Sequence, residues 1–332
     1  MQDPKSISFL RQCAEITIVI ILSLLIVEIC LRVYFSYHLV YDIEMEKYSI
    51  ALKQDSPNSL IDHVSKPNTS VKLMGVWVHT NADGFRGKDC PITRTSKKRI
   101  IFLGNSFLLG WGVKEEDTFH DILEKDLSQI YPTEIINAGM VNYNTEQETY
   151  LFIEKGLKYH PDKVVVFWAA NDIRPTQHKS KWWILEYSEL VTLCWSFSHI
   201  IAEHVDPSQS YQSYYADLFK DQRGVAHAKE AFLLLKNICQ KHNIALQVVI
   251  IPDLHNLANY AFKKEQKMFE DFFKSNGIEV LDLTPFLSNW KDPVALWVSL
   301  DDPHPNKTAH QLFARYTVDF IKKGLYDRRG QP

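Results

Sequence analysis

What most restricts the fold of this chain is a rhythm of short, wholly apolar runs separated by helical stretches. Lys163-Val-Val-Val-Phe-Trp168 shows no alternation of apolar and polar residues. Arg99-Ile-Ile-Phe-Leu103 and residues 244–251 read the same way. A strand that is apolar on both faces must be covered on both faces, which is the condition of a strand inside a parallel sheet. Glu134-Ile-Ile-Asn137 and Glu279-Val-Leu-Asp282 are shorter members of the series. Between and after these runs, residues 118–130, 145–159, 226–242, 256–276 and 307–325 carry helical periodicity. Alternating strands and helices predict an α/β domain, a mostly parallel five-stranded sheet between two helix layers. Residues 173–224 interrupt the rhythm with a segment rich in Trp, Tyr and Ser, read as an insertion over one edge of the sheet.

In such a sheet, ligands sit beyond the carboxyl ends of the strands. The residues found there are Gly104-Asn105-Ser106 after the first strand, Asn137-Ala-Gly139 after the second and Ala169-Ala-Asn171-Asp172 after the third. Asp301-Asp302-Pro303-His304-Pro305-Asn306 precedes the last helix. This set can perform acyl transfer. A serine hydroxyl is a poor nucleophile until a base takes its proton, and His304 is the base available to Ser106. Asp301, three residues before His304, can hold the other ring nitrogen. The backbone N–H groups of Ser106 and Gly139 and the amide of Asn171 can donate to an oxyanion. Asp302 is read as the approach to the last helix, and Asp172 as a brace for its loop.

These four segments resemble the blocks of the SGNH hydrolases, also called GDSL esterases. FLGNSF is similar to the first block, usually Gly-Asp-Ser; NAG to the second; AAND to the third, usually Gly-x-Asn-Asp; and DDPHPN to the last, Asp-x-x-His. The resemblance covers about residue 97 to the end. It implies a three-layer SGNH or flavodoxin-like α/β/α sandwich and the roles just given to Ser106, His304, Asp301, Gly139 and Asn171. Two positions depart from the family pattern: Asn105 replaces the usual aspartate, which implies altered loop hydrogen bonding, and Ala169 replaces glycine. The implied activity is hydrolysis of an acyl ester. The alternative is an acyltransferase of the same fold that modifies a cell-surface polysaccharide or lipid-linked glycan, with a membrane acyl-transfer partner.

Before this domain lies Ile16-Thr-Ile-Val-Ile-Ile-Leu-Ser-Leu-Leu-Ile-Val-Glu-Ile-Cys-Leu31. With its flanks it reaches the roughly 20 residues needed to cross a bilayer, and no small-residue cleavage site follows it. We therefore expect a tail over residues 1–12, a transmembrane anchor over 13–40, a lead-in segment over 41–96 packing on the catalytic domain, and the hydrolase domain over 97–332. Glu28 and Arg32, four apart, can pair on one helical face. Lys5 and Arg11 before the span favour an N-terminus inside and the catalytic domain outside the cytoplasm. An anchor puts the acyl-ester substrate, a lipid or acylated glycan, near a membrane.

The net charge of −3 gives no basic surface for nucleic acid. The five cysteines form no CxxC pair and the histidines no HExxH motif, so no metal or organic cofactor is implied. Trp182, Trp183, Trp195 and Trp297 are read as packing aromatics before cleft-lining ones.

Overall fold

The structure is a computed structural model that describes residues 4–176, 187–206 and 211–325. Trp182 and Trp183, with part of the insertion, lie outside the described residues. The chain begins with one 34-residue helix, α1 (Pro4–Tyr37), followed after a three-residue link by α2 (Tyr41–Ala51). Two small antiparallel ribbons come next: β1 (Lys53–Asp55) with β2 (His63–Ser65), and β3 (Ser70–Leu73) with β4 (Val76–His79).

The central sheet has five strands: β5 (Lys98–Gly104), β6 (Thr133–Gly139), β7 (Lys163–Trp168), β8 (Ala245–Ile250) and β9 (Glu279–Asp282). Their order is β6-β5-β7-β8-β9, and every pairing is parallel. The expected sheet is thus present, without an antiparallel member. Its strands alternate between two cores: Ile101, Leu103, Val164 and Val166 enter one, while Ile100, Phe102, Val165 and Phe167 enter the other. Both faces being buried is why these runs are apolar throughout.

The helices that complete the layers are α3 (Ser106–Leu109), α4 (Phe119–Ser128), α5 (Thr145–Leu151), α6 (Glu189–Val205), α7 (Tyr211–Asp221), α8 (Arg223–Lys241), α9 (Lys263–Ser275), α10 (Thr284–Leu287) and α11 (Lys307–Lys322). The helices expected over 118–130 and 307–325 end a few residues early, and two others fall well short of their sequence pattern. The stretch predicted over 145–159 leaves the α geometry after Leu151, widening into a π turn over Phe152–Gly156 and then a 3₁₀ turn. Gly156 lets the Phe152 ring pack where a Cβ would collide with it. The stretch predicted over 256–276 is helical only from Lys263. A final hairpin, β10 (Trp297–Ser299) with β11 (Asp302–Pro305), precedes α11.

The insertion does not simply cap a sheet edge. Its helix α6 packs on α1 and α2, and α7 packs on α8 and the turn at residues 170–173. The segment before the sheet is tied to the core by individual bonds. His63 Nε2 lies 2.9 Å from the Val141 carbonyl. The buried Arg86 guanidinium donates to the carbonyls of Leu109, Gly110 and Val113.

Candidate active site

Strand β5 ends at Gly104, and the chain turns directly into α3. Asn105 caps that helix by accepting from the Phe107 N–H, which leaves Ser106 as its first residue. Gly104 has no room for a side chain, since a Cβ would meet Leu108 and the Phe167 carbonyl. The tightness of this turn brings the Ser106 hydroxyl to the sheet's carboxyl edge. Its Oγ is 2.9 Å from His304 Nε2.

The carboxylate that completes the chain of hydrogen bonds is Asp302, not Asp301. Asp302 Oδ1 lies 2.5 Å from His304 Nδ1 and also accepts the His304 N–H, while Oδ2 accepts from Trp111 Nε1 at 2.9 Å. Asp302 is fully buried. Asp301 instead accepts from the Ser299 hydroxyl and from the Tyr41 N–H. Residues 302–305 form a strand, in which positions i and i+2 face the same side. Asp301 falls in the turn of the hairpin and faces elsewhere. The three-residue spacing expected from the sequence suits a helical turn; the chain here is extended.

Of the expected oxyanion donors, Gly139 is engaged elsewhere. The Gly139 N–H is not available, because it donates to Asn137 Oδ1 at 2.9 Å. The absence of a side chain at 139 answers a packing need: a Cβ would lie 2.4 Å from the Leu109 nitrogen. Asn171 is oriented by Asn105, whose Nδ2 donates to Asn171 Oδ1 at 3.0 Å. With its carbonyl so engaged, Asn171 keeps its NH₂ end for a ligand. The other hydrogen of Asn105 Nδ2 goes to Asp172 Oδ1 at 2.7 Å. Asp172 Oδ2 accepts the Ala169 N–H, so Asp172 braces its loop as expected. Burial pushes the Asp172 carboxyl up to about 7, against the pull of the Ala169 N–H and Asn105. Beside it, burial and the charge of Asp172 raise Glu148 well above the usual carboxylate range. Neither oxygen of Glu148 has a hydrogen-bond partner.

Aromatic rings surround His304. The centroids of Phe107, Tyr41 and Trp111 lie 5.5, 5.7 and 6.1 Å from that of the imidazole. Sequence reasoning did not single out Tyr41, since nothing local ties residue 41 to residue 304. No group of three or more His, Cys, Asp or Glu able to hold a metal ion occurs among the described residues.

A five-stranded parallel sheet with Ser, Asn and a His–Asp pair at its carboxyl edge defines an ester-hydrolysing enzyme of the α/β/α class. The chain belongs to the GDSL-like lipase/acylhydrolase family, whose sequence profile matches residues 102–312, more than half its length. No curated protein matches it in sequence. Similar solved structures include a lipase/acylhydrolase from Enterococcus faecalis, 15% identical with a TM-score of 0.44, covering 68% of this chain and 95% of that one. The esterase EstA from Pseudoalteromonas sp. is 17% identical with a TM-score of 0.45, covering 68% and 98%. An acetyl xylan esterase, AlAXEase, is 15% identical with a TM-score of 0.44, covering 67% and 99%. These likenesses are distant.

Proposed function

We propose that this enzyme is a membrane-tethered serine esterase in which Ser106 takes the acyl group of a membrane-proximal ester, His304 moves the proton and Asp302 holds the imidazole. The observation that carries the reading is the unbroken series Ser106–His304–Asp302, with contacts of 2.9 and 2.5 Å. Ser106 Oγ attacks the ester carbonyl while His304 Nε2 accepts its proton. The imidazolium that forms is held by Asp302 and returns the proton to the departing alcohol. Water then repeats the sequence on the acyl-enzyme. The oxyanion donors are the Ser106 N–H and the Asn171 amide NH₂.

Two features support a substrate at the bilayer. Residues 9–27, within the apolar stretch Phe9–Tyr37 of α1, are exposed and apolar apart from Arg11, Gln12, Glu15, Thr17 and Ser23. At about 1.5 Å per residue they measure about 28 Å, close to the hydrocarbon thickness of a membrane. Tyr41, four residues after the end of α1, already touches the site through His304. Lys5, before the apolar stretch, and Arg11, in its first turn, favour a catalytic domain outside the cytoplasm.

The test is hydrolysis of 4-nitrophenyl acetate by the full chain in detergent, with fluorophosphonate labelling. Ser106→Ala is expected to abolish both labelling and hydrolysis above background. Equal rates for the two proteins would end the proposal. An oligosaccharide acceptor added to the same assay separates hydrolysis from acyl transfer, since transfer would yield acylated acceptor by mass spectrometry.

A further inference from the structure

Helix α6 is built inside out. Amphipathic helices of water-soluble domains turn their apolar stripe inward. In α6 the buried positions include Glu189, Thr192 and Ser196 at 8, 5 and 9% exposure, a polar stripe at helical spacing. They face an acidic helix: Thr192 donates to Glu46 and Ser196 to Asp42, both on α2. The opposite stripe is apolar and outward, with Phe197, Ile201 and Val205 at 56, 61 and 80% exposure, and Cys194 exposed one turn before them.

What lies against this stripe is indicated by the way α6 begins. Its first turn is capped by a side chain from the apolar helix α1. Glu28 accepts from the Ser188 hydroxyl and from the N–H groups of Glu189 and Leu190. Arg32, paired with Glu28, donates to the Tyr187 carbonyl. Within the apolar stretch Phe9–Tyr37, Glu28 is the first residue that is not exposed and it opens the Glu28–Arg32 ion pair, which puts it at the membrane boundary when residues 9–27 fill the bilayer. The apolar stripe of α6 therefore continues the apolar surface of α1. With 17 residues, α6 is about 25 Å long, too short to serve as a second span. Outward apolar residues on a helix that starts at a membrane boundary describe an interfacial helix.

We propose that α6 lies in the headgroup–acyl boundary of the bilayer that α1 crosses, with Cys194, Phe197, Ile201 and Val205 against lipid. This rests on the membrane-tethered reading given above. Its consequence is a second attachment point: α1 alone permits the domain to swivel, whereas α1 with α6 fixes the face presented to the membrane.

The native cysteines supply the test. In a Cys13→Ser, Cys30→Ser, Cys90→Ser background, Cys194 is the exposed thiol, since Cys239 is buried. The full chain is labelled there with an environment-sensitive fluorophore and reconstituted in phosphatidylcholine/phosphatidylglycerol vesicles. A companion protein carries the label at Ile20→Cys within α1, and another at Leu233→Cys on α8, both with Cys194→Ser. Each must keep its 4-nitrophenyl acetate activity. We expect the probe at 194 to shift to the blue and to be quenched more by shallow than by deep doxyl lipids, while the probe at 233 is unaffected. Quenching at 20 without quenching at 194 overturns the proposal and leaves the tether intact. No quenching at either position removes the tether itself, and the proposal with it.

Discussion

Asp302 and His304 stand two residues apart on a strand whose prolines, Pro303 and Pro305, argue against a strand at all. The hairpin tolerates them because it has only two strands, leaving the proline nitrogens on its unpaired side free of any ladder obligation. Sequence spacing alone favours Asp301, since Asp-x-x-His matches the family block. Deciding between two adjacent carboxylates requires knowing that the backbone is extended there. The roles separate by substitution. Asp302→Asn should lower kcat/KM for 4-nitrophenyl acetate by roughly three to four orders of magnitude, the usual cost of losing the imidazole's orienting carboxylate. Asp301→Asn should change it by less than about tenfold, because that side chain bonds the Tyr41 N–H and Ser299 and never the imidazole.

Asn105 shows what the departure from the family pattern does. Its NH₂ donates to both Asn171 and Asp172, two bonds that an aspartate cannot make. Asn105→Asp would set a carboxylate against buried Asp172 and release Asn171. We expect kcat to fall at least about tenfold at pH 8, with a smaller loss at pH 6, where the added carboxyl pair holds a proton. A pH profile of both proteins decides it. The neighbouring carboxyls also predict a stability effect. Asp172 and Glu148 bind their protons more tightly folded than unfolded. The stability this confers is complete below the ordinary carboxylate range; the part due to Asp172 is lost as pH rises through about 7, and the part due to Glu148 is lost well above that ordinary range. Glu148→Met removes two unsatisfied buried oxygens and the repulsion on Asp172. Its Tm should exceed that of the parent at pH 8, by roughly 2–4 °C for each kcal/mol recovered, with the gap narrowing toward pH 5.

At the scale of elements, the sheet was readable because its strands are apolar on both faces and end in polar residues. β7 and β9 match their sequence patterns residue for residue. Contacts between distant segments were not readable. Arg86, in a turn before the sheet, holds three carbonyls at and beyond the end of α3 and pairs with Glu115 at 2.8 Å. Burial opposes ionisation of Glu115, but His120 and Arg86 hold its carboxyl down to about 2. The lead-in segment is thereby stapled to the helix that bears Ser106. Arg86→Ala should cost about 3 kcal/mol in urea unfolding, because three buried carbonyls each lose a charged donor and the Glu115 carboxylate loses its partner. Arg86→Lys should recover only part of that, since an ammonium lacks the planar fork. The identity of α6 was hidden for a related reason. Its polar residues look like a solvent face until α2 is seen to cover them, and its N-terminal cap comes from a residue 160 positions away.

At the scale of the whole molecule, the domain and its apolar helix are joined without slack. Tyr37 closes α1 and Tyr41 opens α2. Four residues reach at most about 14 Å even when extended, and Tyr41 spends that reach lying against His304 and Trp111. This predicts a substrate preference that depends on presentation. Inserted in vesicles, the full chain should hydrolyse a short-chain ester carried by a lipid in the same vesicles far faster than the same ester carried by lipid in separate vesicles. Equal rates in the two arrangements would show that the site works at a distance from its own membrane.

That short link has a kinetic corollary. An enzyme on a long leash samples a volume, and its rate follows the bulk concentration of what it cleaves. On the proposed tether, Ser106 is confined to a thin layer above one patch of surface. Turnover should follow the number of esters per unit area, and crowding within the plane should govern encounters more than dilution of the surrounding liquid.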